Sequence, residues 1–510
     1  MYKNSLRLRL LSGILSALIL LCGTTAVGGL FSVSAAETES KLSSAYTNSF
    51  EYGKSEASFS QDVCDYLSAG FRSFKTRIDL SSYKIQISDM TDLFLKVLFD
   101  NPDIFYVNPS SYSYSSNSNS QIVAFVPKYI FSTSEIPSLE NKFEDACNNM
   151  TADINPGWSD SVKAMVLHDN LALNCQYASD EYEADGGKSA PEIFNAYGAL
   201  VNGRAVCQGY ALAYNYLLSK VGIKASMVVS NSMNHAWSLV EINGKYYHTD
   251  TTWDDPTYDI LGNVSHKFLL KSDDAMLNSS YRSHYDWIAA ASADSTDFDD
   301  YFWDNINTKI YYADGKYYYI SNLSENSDKG NILVFDGTDK KSLLSIPEVW
   351  YANSQHTSYW VNKFARISVC GNSIYYNTSD TIYSVNIDGT NKKAVYTLSA
   401  NEAEKGSIYG MMLDKDGYFC ISQSDTPNNK MSNYKISAMH IYTKTNTLGL
   451  NGDVDGNGEI SIIDATVLQM YIAKLSSLND MQISFSDTDA DGSVNITDAT
   501  AIQTICAKLQ

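Results

Sequence analysis

Apolar and aromatic side chains recur at three- and four-residue steps across residues 206–221, which predicts an amphipathic helix with one buried face. Gly203 ends the segment before this helix, and Gly222 is placed to stop it. Cys207 falls in the first turn, where unpaired backbone N–H groups and the helix dipole favour a thiolate. The same N–H groups can hold an oxyanion. The pattern therefore makes Cys207 a candidate nucleophile.

A second pattern alternates apolar and polar positions on both sides of Asn243-Gly244, the strongest short signal for a β hairpin with a type I′ turn. The two-residue turn fixes the strand register, so that Ser238 faces Thr249 and the next position is Asp250. His235 is then a diagonal neighbour of Asp250 on one face of the hairpin, with Cβ atoms roughly 7 Å apart. The register thus predicts an acid beside the histidine.

An acid beside a histidine fixes its tautomer and stabilises the imidazolium that forms when the ring accepts a proton. The hypothesis is a catalytic set of nucleophile, base and acid, in the chain order Cys207, His235 and Asp250. His248 lies on the same face as the acid and is the alternative base. The structural alternative for the cysteine is a small buried hydrophobe that packs in the core.

Three ordered motifs carry a family resemblance: Ala-Val-Cys-Gln-Gly-Tyr-Ala at 205–211, His-Ala-Trp at 235–237, and Tyr-Tyr-His-Thr-Asp-Thr-Thr-Trp-Asp-Asp-Pro at 246–256. They resemble the core motifs of the transglutaminase-like superfamily of papain-type cysteine enzymes, over residues 150–290. The resemblance implies an α+β core with the nucleophile on Cys207, the base on His235 and the acid on Asp250. That family includes cross-linkers, peptidases and non-catalytic members, so it indicates thiol acyl transfer rather than one substrate.

Periodicity and composition outline the segments before the motifs. They predict helices at 63–74, 92–99 and 161–175, a strand at 104–107, and loops at 109–120 and 180–189. The segment 37–52 is expected to be a flexible lead, within an N-terminal α+β region that spans 37–150. The catalytic domain is predicted at 151–298.

From about residue 300 the pattern changes to short Tyr-rich strands with alternating side chains. The segment 309–321 returns in part at 373–377, and the turn sequence 336–341 recurs at 388–393. Such repetition is typical of blades, but about three units are too few for a closed propeller of roughly four to eight. We expect an open or partial propeller-like all-β domain at 299–448. Its tyrosines either recognise glycan or peptide or simply pack between strands.

The C-terminal 60 residues contain a duplicated loop whose oxygen-bearing residues have the spacing of a calcium site. The first loop offers Asp453, Asp455, Asn457, Glu459, Ser461 and Asp464, and the second offers Asp487, Asp489, Asp491, Ser493, Asn495 and Asp498. Each loop runs into a predicted helix, at 465–475 and 499–509, and neither has a clear helix before it. The pattern predicts two bound Ca²⁺ ions.

This duplicated loop and helix resembles a type I dockerin over residues 451–510. The resemblance implies a small α-helical calcium-binding domain that docks on a cohesin of a scaffoldin, as in cellulosomes. Loop positions 10 and 11, which help to contact cohesin in that family, hold Ile462, Ile463, Ile496 and Thr497.

Charge and the N-terminal segment limit the partners and the location. The formal net charge of -21 argues against nucleic acid and anionic membrane surfaces as partners. Residues 1–36 have the basic, apolar and small-residue zones of a secretory signal, with an uncleaved anchor or lipidation at Cys22 as alternatives. After signal removal seven cysteines remain, and this odd number indicates no disulfide framework.

These patterns predict a secreted, multidomain, scaffold-bound enzyme of the polysaccharide-degrading cellulosome. It would act on peptide or protein amide bonds through a thioester, with water or an amine as acceptor and no cofactor for catalysis. The competing hypothesis is a non-catalytic binding or assembly module of the same complex.

Overall fold

The structure is a computed structural model of the 510-residue chain. It describes residues 42–46, 53, 58–152, 154–256, 260–321, 330–347, 349–351, 359–361, 363–414, 417–426, 431–440, 452–455, 460–478, 480–488 and 493–508. The predicted signal segment 1–36, Cys22 and much of the predicted lead 37–52 lie outside these residues. Within the described ranges, no helix has the length and apolar character needed to cross a membrane.

The N-terminal region combines three helices with an antiparallel sheet in the strand order β1-β3-β4-β2. Its elements are β1 (Leu42–Tyr46), α1 (Gln61–Arg72), β2 (Ile78–Asp79), α2 (Met90–Asp100), β3 (Val107–Ser116), β4 (Ile122–Tyr129) and α3 (Ile136–Thr151). Helices α1 and α2 confirm the predictions at 63–74 and 92–99.

The loop predicted at 109–120 is wrong, because β3 extends through Ser116 and takes in most of it. The Ser-rich composition suggested a loop, but Tyr112 is buried and packs on Phe94 and Phe125, with ring centroids 5.2 and 4.9 Å away. The strand predicted at 104–107 is also wrong in position, since only Val107 belongs to β3. Aromatic burial on one face of the sheet therefore outweighs local polarity.

The central region places helix α6 against strands β7 and β8 and against helix α4. Its elements are α4 (Asp160–Asn174), β5 (Gln176–Tyr177), α5 (Ser179–Asp185), β6 (Arg204–Ala205), α6 (Cys207–Lys220), β7 (Ala225–Ser230), β8 (His235–Ile242), β9 (Lys245–Thr249), α7 (Thr251–Asp254) and α8 (Asp273–Leu277). Strands β7, β8 and β9 form an antiparallel sheet in that order, and β5 pairs with β6 in parallel. Helix α4 confirms the prediction at 161–175, whereas the loop predicted at 180–189 contains α5.

Helix α6 is buried almost all round, which corrects the expectation of a single buried face. Of its 14 residues, only Tyr216, Ser219 and Lys220 escape full burial. A helix that is buried on every side belongs to the interior of a domain. One hydrophobic core runs from Val63 to Tyr319, so the N-terminal and central regions share it with the first strands of the β region. The predicted boundaries at 150 and 298 remain predictions.

The β region consists of antiparallel sheets with sequential strand order. Its elements are β10 (Tyr311–Ala313), β11 (Lys316–Ile320), β12 (Gly330–Phe335), β13 (Lys340–Ile346), β14 (Val349–Tyr351), β15 (Tyr359–Val361), β16 (Ile367–Cys370), β17 (Ser373–Asn377), β18 (Thr381–Asn386), β19 (Lys393–Thr397), α9 (Ala400–Ala403), β20 (Ser407–Leu413), β21 (Tyr418–Ser424) and β22 (Ser432–His440). Strands β10–β13 and β16–β19 form two four-stranded sheets, β20–β22 a three-stranded sheet, and β14 and β15 a pair.

The repeated turn sequence occupies equivalent places in the two four-stranded sheets. Asp336 and Asp388 each lie between the third and fourth strand, and each carboxylate accepts a backbone N–H two residues on, from Thr338 at 3.0 Å and Thr390 at 2.8 Å. The repeat in the sequence is thus a repeated turn in the structure. Among the described strands the sheets form no closed barrel or propeller, so the propeller-like arrangement stays a prediction.

The C-terminal region contains α10 (Ile462–Ile472), α11 (Asp480–Ser486) and α12 (Ile496–Lys508). The helices predicted at 465–475 and 499–509 exist, but each begins three residues earlier, because the last loop positions already form its first turn. Ser461 caps α10 in a capping box with Asp464. The expectation that no helix precedes the second loop is wrong, since α11 does. Helices α10 and α12 pack around a small apolar core.

Candidate functional site

The hairpin of β8 and β9 forms in the predicted register, with Ser238 paired to Thr249. Asn243 and Gly244 have φ angles of 53° and 75°, the positive values that a type I′ turn requires at both central positions. Strand β9 ends at Thr249, and Asp250 follows as the N-cap of α7. The short turn thereby fixes where the acid lies relative to the opposite strand.

That register brings His235 and Asp250 together, with Nε2 of the ring 2.6 Å from Oδ2 of the carboxylate. Both side chains are buried. Burial disfavours the imidazolium, but the charge and hydrogen bond of Asp250, followed by contact with Cys207, outweigh it and raise the pKa of His235 to about 10. Burial likewise opposes ionisation of Asp250, yet the two histidines beside it hold its pKa well below the usual range. The arrangement favours a charged imidazolium–carboxylate pair.

Cys207 is the first residue of α6, as the sequence predicts, and Val206 precedes it as the N-cap. A side-chain hydrogen bond with Cys207 is among the influences that raise the pKa of His235, so the thiol lies next to the ring. Because Nε2 of His235 faces the carboxylate, Nδ1 is the ring nitrogen left to face the thiol. Cys207 is only 2 % exposed, so the sulfur is almost entirely covered.

The residues after Cys207 explain the local shape of the motif. A Cβ atom on Gly209 would lie 2.6 Å from the carbonyl oxygen of Ile193, so only glycine allows α6 to approach that backbone so closely. Tyr210 donates its hydroxyl to Asp255 at 2.5 Å and thereby ties the first motif to the third. The conformation of each motif is thus supported by another part of the fold.

A cleft of about 520 Å³ opens beside His235. Its lining includes Tyr177, Arg204, Asn234, Trp253, Asp255 and Arg282. Trp253 stacks on the imidazole of His235 at 4.7 Å, and the guanidinium of Arg282 lies 3.7 Å from the centre of the Trp253 ring. His235 lines the cleft but Cys207 does not, so the base is the more accessible of the two groups.

His284 is a member of the site that the sequence interpretation missed. Its Nε2 lies 2.8 Å from Oδ2 of Asp250, the same oxygen that faces His235. It follows Asp250 by 34 residues, outside every helix and strand, where neither periodicity nor turn geometry predicts a neighbour. The available signal was the concentration of histidine: five of the seven in the chain fall between residues 168 and 284.

The structure makes His248 unsuitable as the alternative base. Its Nδ1 accepts a hydrogen bond from the indole of Trp237 at 2.9 Å, and its Nε2 lies 2.7 Å from Asp273. The ring is completely buried. Because both nitrogens are engaged, this histidine has a structural role.

A second buried histidine–acid network lies on α4 and α7. Asp169 contacts His168 at 3.0 Å and His266 at 2.9 Å, and His168 also lies 3.2 Å from Asp254. Burial opposes the charge on His168, but Asp169 and Asp254 outweigh it and raise its pKa to about 9. This network joins α4 to α7, the helix that Asp250 caps.

The three ligand-type atoms of His235, Asp250 and His284 lie within 4.8 Å of one another, which raises the question of a metal. Ligand atoms at 2.0–2.1 Å from a tetrahedral zinc ion stand about 3.3 Å apart. The separations of 2.6 and 2.8 Å from the single oxygen of Asp250 are those of hydrogen bonds. We therefore interpret the cluster as two histidines that share one acceptor.

No disulfide joins the seven described cysteines, which are Cys64, Cys147, Cys175, Cys207, Cys370, Cys420 and Cys506. Burial raises the pKa of Cys147 and of Cys175 to about 12, so these thiols are poor nucleophiles near neutral pH.

In the C-terminal region the structure brings three predicted calcium ligands together. Carboxylate oxygens of Asp453, Asp455 and Asp464 lie within 4.8 Å, and Asp453 and Asp464 are buried. Three clustered carboxylates repel one another unless a cation joins them, and oxygen donors are what Ca²⁺ prefers. The donor set therefore fits a calcium ion. Asn457 and Glu459 lie outside the described residues, and the hydroxyl of Ser461 hydrogen-bonds Asp464.

The second loop has a matching arrangement around Asp498, which is buried. Its two oxygens accept backbone N–H groups of Thr488 at 2.7 Å and Asn495 at 2.8 Å, just as Asp464 accepts those of Asp455 and Ser461 at 2.9 and 2.8 Å. Asp487 and Ser493 are also described, whereas Asp489 and Asp491 lie outside the described residues.

The predicted cohesin-contact residues all face solvent. Ile462, Ile463 and Ile496 are 58 %, 56 % and 56 % exposed, and Thr497 is exposed as well. Each pair lies in the first turn of its helix, α10 or α12. Exposed isoleucines at equivalent places form apolar surface that a partner can cover.

Comparison with solved structures finds a likeness to a protein described as "Crystal structure of a TGase", with 12 % identity and a TM-score of 0.21. The match covers 30 % of this chain and 47 % of that one, so this chain spans about half of the other protein. No curated protein matches the chain. The model of the dockerin type I domain matches residues 451–504. Together with the duplicated loop and helix described above, this match shows that the chain carries a C-terminal type I dockerin, the domain that binds calcium and docks on a scaffoldin cohesin.

Proposed function

We propose that the chain is a secreted, scaffold-bound cysteine enzyme that acts on amide bonds of peptides or proteins. The single observation that carries this proposal is the geometry around His235, which contacts Asp250 through Nε2 at 2.6 Å and Cys207 on its other side. This is the order of contacts that a nucleophile, base and acid need for thiol catalysis.

In the proposed reaction, His235 takes the proton of Cys207, and the sulfur attacks the carbonyl carbon of the substrate amide. Backbone N–H groups at the start of α6 are the candidate donors for the oxyanion. The carbon–nitrogen bond then breaks, the amine leaves with the proton from His235, and a thioester remains on Cys207. Water or a second amine attacks the thioester, gives its proton to His235 and releases the thiolate.

The dockerin supplies the other half of the proposal. Two calcium ions would be held by the carboxylates of the duplicated loop, and the exposed first turns of α10 and α12 would contact a cohesin. Docking there would place the enzyme on a scaffold beside polysaccharide-degrading partners. The enzyme needs no metal for the proposed chemistry, because its own residues move the proton.

One observation favours the competing function, a non-catalytic binding module. Cys207 is 2 % exposed and does not line the cleft, so a substrate carbonyl reaches the sulfur only if neighbouring side chains move. In that case the cleft beside Trp253 and Arg282 would be a recognition surface.

The test compares a protein mixture incubated with the chain and with its Cys207→Ala variant. New peptide termini that appear only with the unmodified chain indicate hydrolysis, and new isopeptide links indicate transfer. The matched control is Cys420→Ala, which removes a half-buried thiol of the β region and should leave the products unchanged. Identical peptide patterns for the chain and for Cys207→Ala would exclude the enzymatic function.

A further inference from the structure

The most informative unexplained group in the molecule is His284. Its imidazole is completely buried, and its backbone N–H donates to the carbonyl oxygen of Met276 at 2.9 Å. Ring centroids of Trp253, Trp237 and Phe268 lie 4.0, 4.8 and 4.9 Å from it. Aromatic rings thus hold the imidazole in one orientation, with Nε2 directed at Asp250.

Two histidines therefore share one carboxylate oxygen, at 2.6 Å for His235 and 2.8 Å for His284. An ionised carboxylate only accepts hydrogen bonds, so both Nε2 atoms carry a proton. Nδ1 of His284 is buried and has no hydrogen-bond partner among the described residues. A second proton there would be buried without an acceptor, so His284 stays neutral. Burial lowers its pKa, although Asp250 opposes the effect.

We propose that His284 is a positioning residue, which holds the carboxylate of Asp250 so that His235 keeps its proton on Nε2 and presents Nδ1 to Cys207. This inference rests on the proposed function, because it assigns a role in activating the same thiol.

A pH titration of this site responds to every titratable and charged group near His284. They are Asp250, His235 and His248, with Arg282 two residues before it and Cys207 on the far side of His235. Removal of the His284 donor lets the carboxylate of Asp250 turn away from His235, so the imidazolium loses part of its stabilisation and the pKa of His235 should fall. A residue that only filled space would leave that pKa unchanged.

The test uses histidine labelled with ¹⁵N and ¹³C in the full chain, with His235→Gln and His284→Gln to assign the signals. In the unmodified protein at pH 7, we expect Nε2 of His284 to be protonated and Nδ1 to be unprotonated. The variant His284→Phe should lower the pKa of His235 by about one unit and slow alkylation of Cys207 at pH 6 by about tenfold, because each unit lost makes proton transfer from the thiol to the ring tenfold less favourable. His284→Gln, which keeps an N–H donor, should stay within about threefold of the unmodified rate.

Three results would overturn the inference. They are protonation of His284 on Nδ1 instead of Nε2, an unchanged His235 pKa in the folded His284→Phe variant, or ¹⁵N shifts of the two histidines that change on addition of EDTA, as for metal ligands. The proposed function fails separately, if Cys207 of the unmodified chain reacts no faster than an ordinary thiol. The ¹⁵N measurement needs no substrate and no active thiol, so it remains decisive even if His284→Phe does not fold.

Discussion

At the scale of single residues, the site depends on how one carboxylate is used. Asp250 caps α7 through Oδ1, which accepts the N–H of Trp253 at 3.1 Å, and faces two histidines through Oδ2. One oxygen therefore fixes the backbone and the other fixes the rings. Such double use explains why the acid lies at the end of β9 rather than inside the strand.

We expect Asp250→Asn to lower amide hydrolysis or transfer on the order of 10²- to 10⁴-fold, the range that general acid–base catalysis contributes. The amide has nearly the same shape, but it lacks the charge that stabilises the imidazolium of His235. The measurement is kcat and KM for a substrate identified by comparing the chain with Cys207→Ala. We expect the fall to appear in kcat.

The matched control is Asp273→Asn, which removes the acid from another His–Asp pair of the same region, at His248. It should keep activity within about twofold. If instead Asp273→Asn abolished activity and Asp250→Asn did not, His248 would be the base after all.

The candidate site was predictable where local geometry determines it. The register of the hairpin follows from Asn243-Gly244, because a two-residue turn leaves one pairing of the strands, and that pairing places His235 near Asp250. His284 reaches the same carboxylate from an irregular segment whose path depends on tertiary packing, so no periodicity in the sequence specifies it.

At the scale of elements, helices α4 and α7 are joined by a buried network of charges. His168 lies between Asp169 of its own helix and Asp254 of α7, and Asp254 also accepts the backbone N–H of Phe268 at 2.9 Å. Asp169 in turn accepts the N–H of Ile310, which leads into the β region. The network links the site to the next region of the chain.

We expect His168→Phe to lower the free energy of unfolding by about 3–5 kcal/mol, because it leaves buried carboxylates without their cation. The folded pKa of about 9 lies above the unfolded value of about 6.5. The stabilisation by His168 is therefore complete below pH 6.5 and is lost as the pH rises through 9. Urea unfolding at pH 6 and at pH 10 gives a free energy of unfolding for each pH. These two free energies should differ less in the variant than in the unmodified chain.

The control for this prediction is Lys224→Ala, which removes an exposed ion pair with Glu241 and should change stability by less than about 0.5 kcal/mol. An equal pH dependence in the unmodified chain and in His168→Phe would contradict a charged His168.

Helices and strands were predictable where residues close in the sequence determine them. Helices α1, α2, α4 and α6 follow from periodicity, and the starts of α10 and α12 were misplaced by one turn because calcium-loop residues also form the first turn of each helix. Strand β3 was missed because its evidence is tertiary: Tyr112 is buried under aromatic neighbours that lie elsewhere in the sequence.

At the scale of the whole molecule, the chain combines a buried thiol site with a C-terminal docking domain. The net charge of -21 includes carboxylates that converge in the first dockerin loop, where a divalent cation would offset their repulsion. Calcium should therefore order the C-terminal region and leave the central region unchanged.

Hydrogen exchange measured by mass spectrometry on the full chain tests this expectation. EDTA should speed exchange in α10 (Ile462–Ile472) and α12 (Ile496–Lys508) and have no effect in α6 (Cys207–Lys220). The double variant Asp464→Asn and Asp498→Asn should exchange at the fast rate with or without calcium. Protection that is equal with calcium and with EDTA would show that the loops bind no ion.

We infer that folding activates the sulfur of Cys207, and the alkylation rate of this thiol measures the activation. The chain should be treated with iodoacetamide at pH 6 and digested, and the rate for Cys207 compared with the half-buried thiols of Cys420 and Cys506. An ordinary thiol, with a pKa near 8.5, is less than about 1 % ionised at that pH. We expect Cys207 to react at least about tenfold faster than both and to lose this advantage in His235→Gln. A rate no higher than that of Cys420, unaffected by His235→Gln, would contradict this inference.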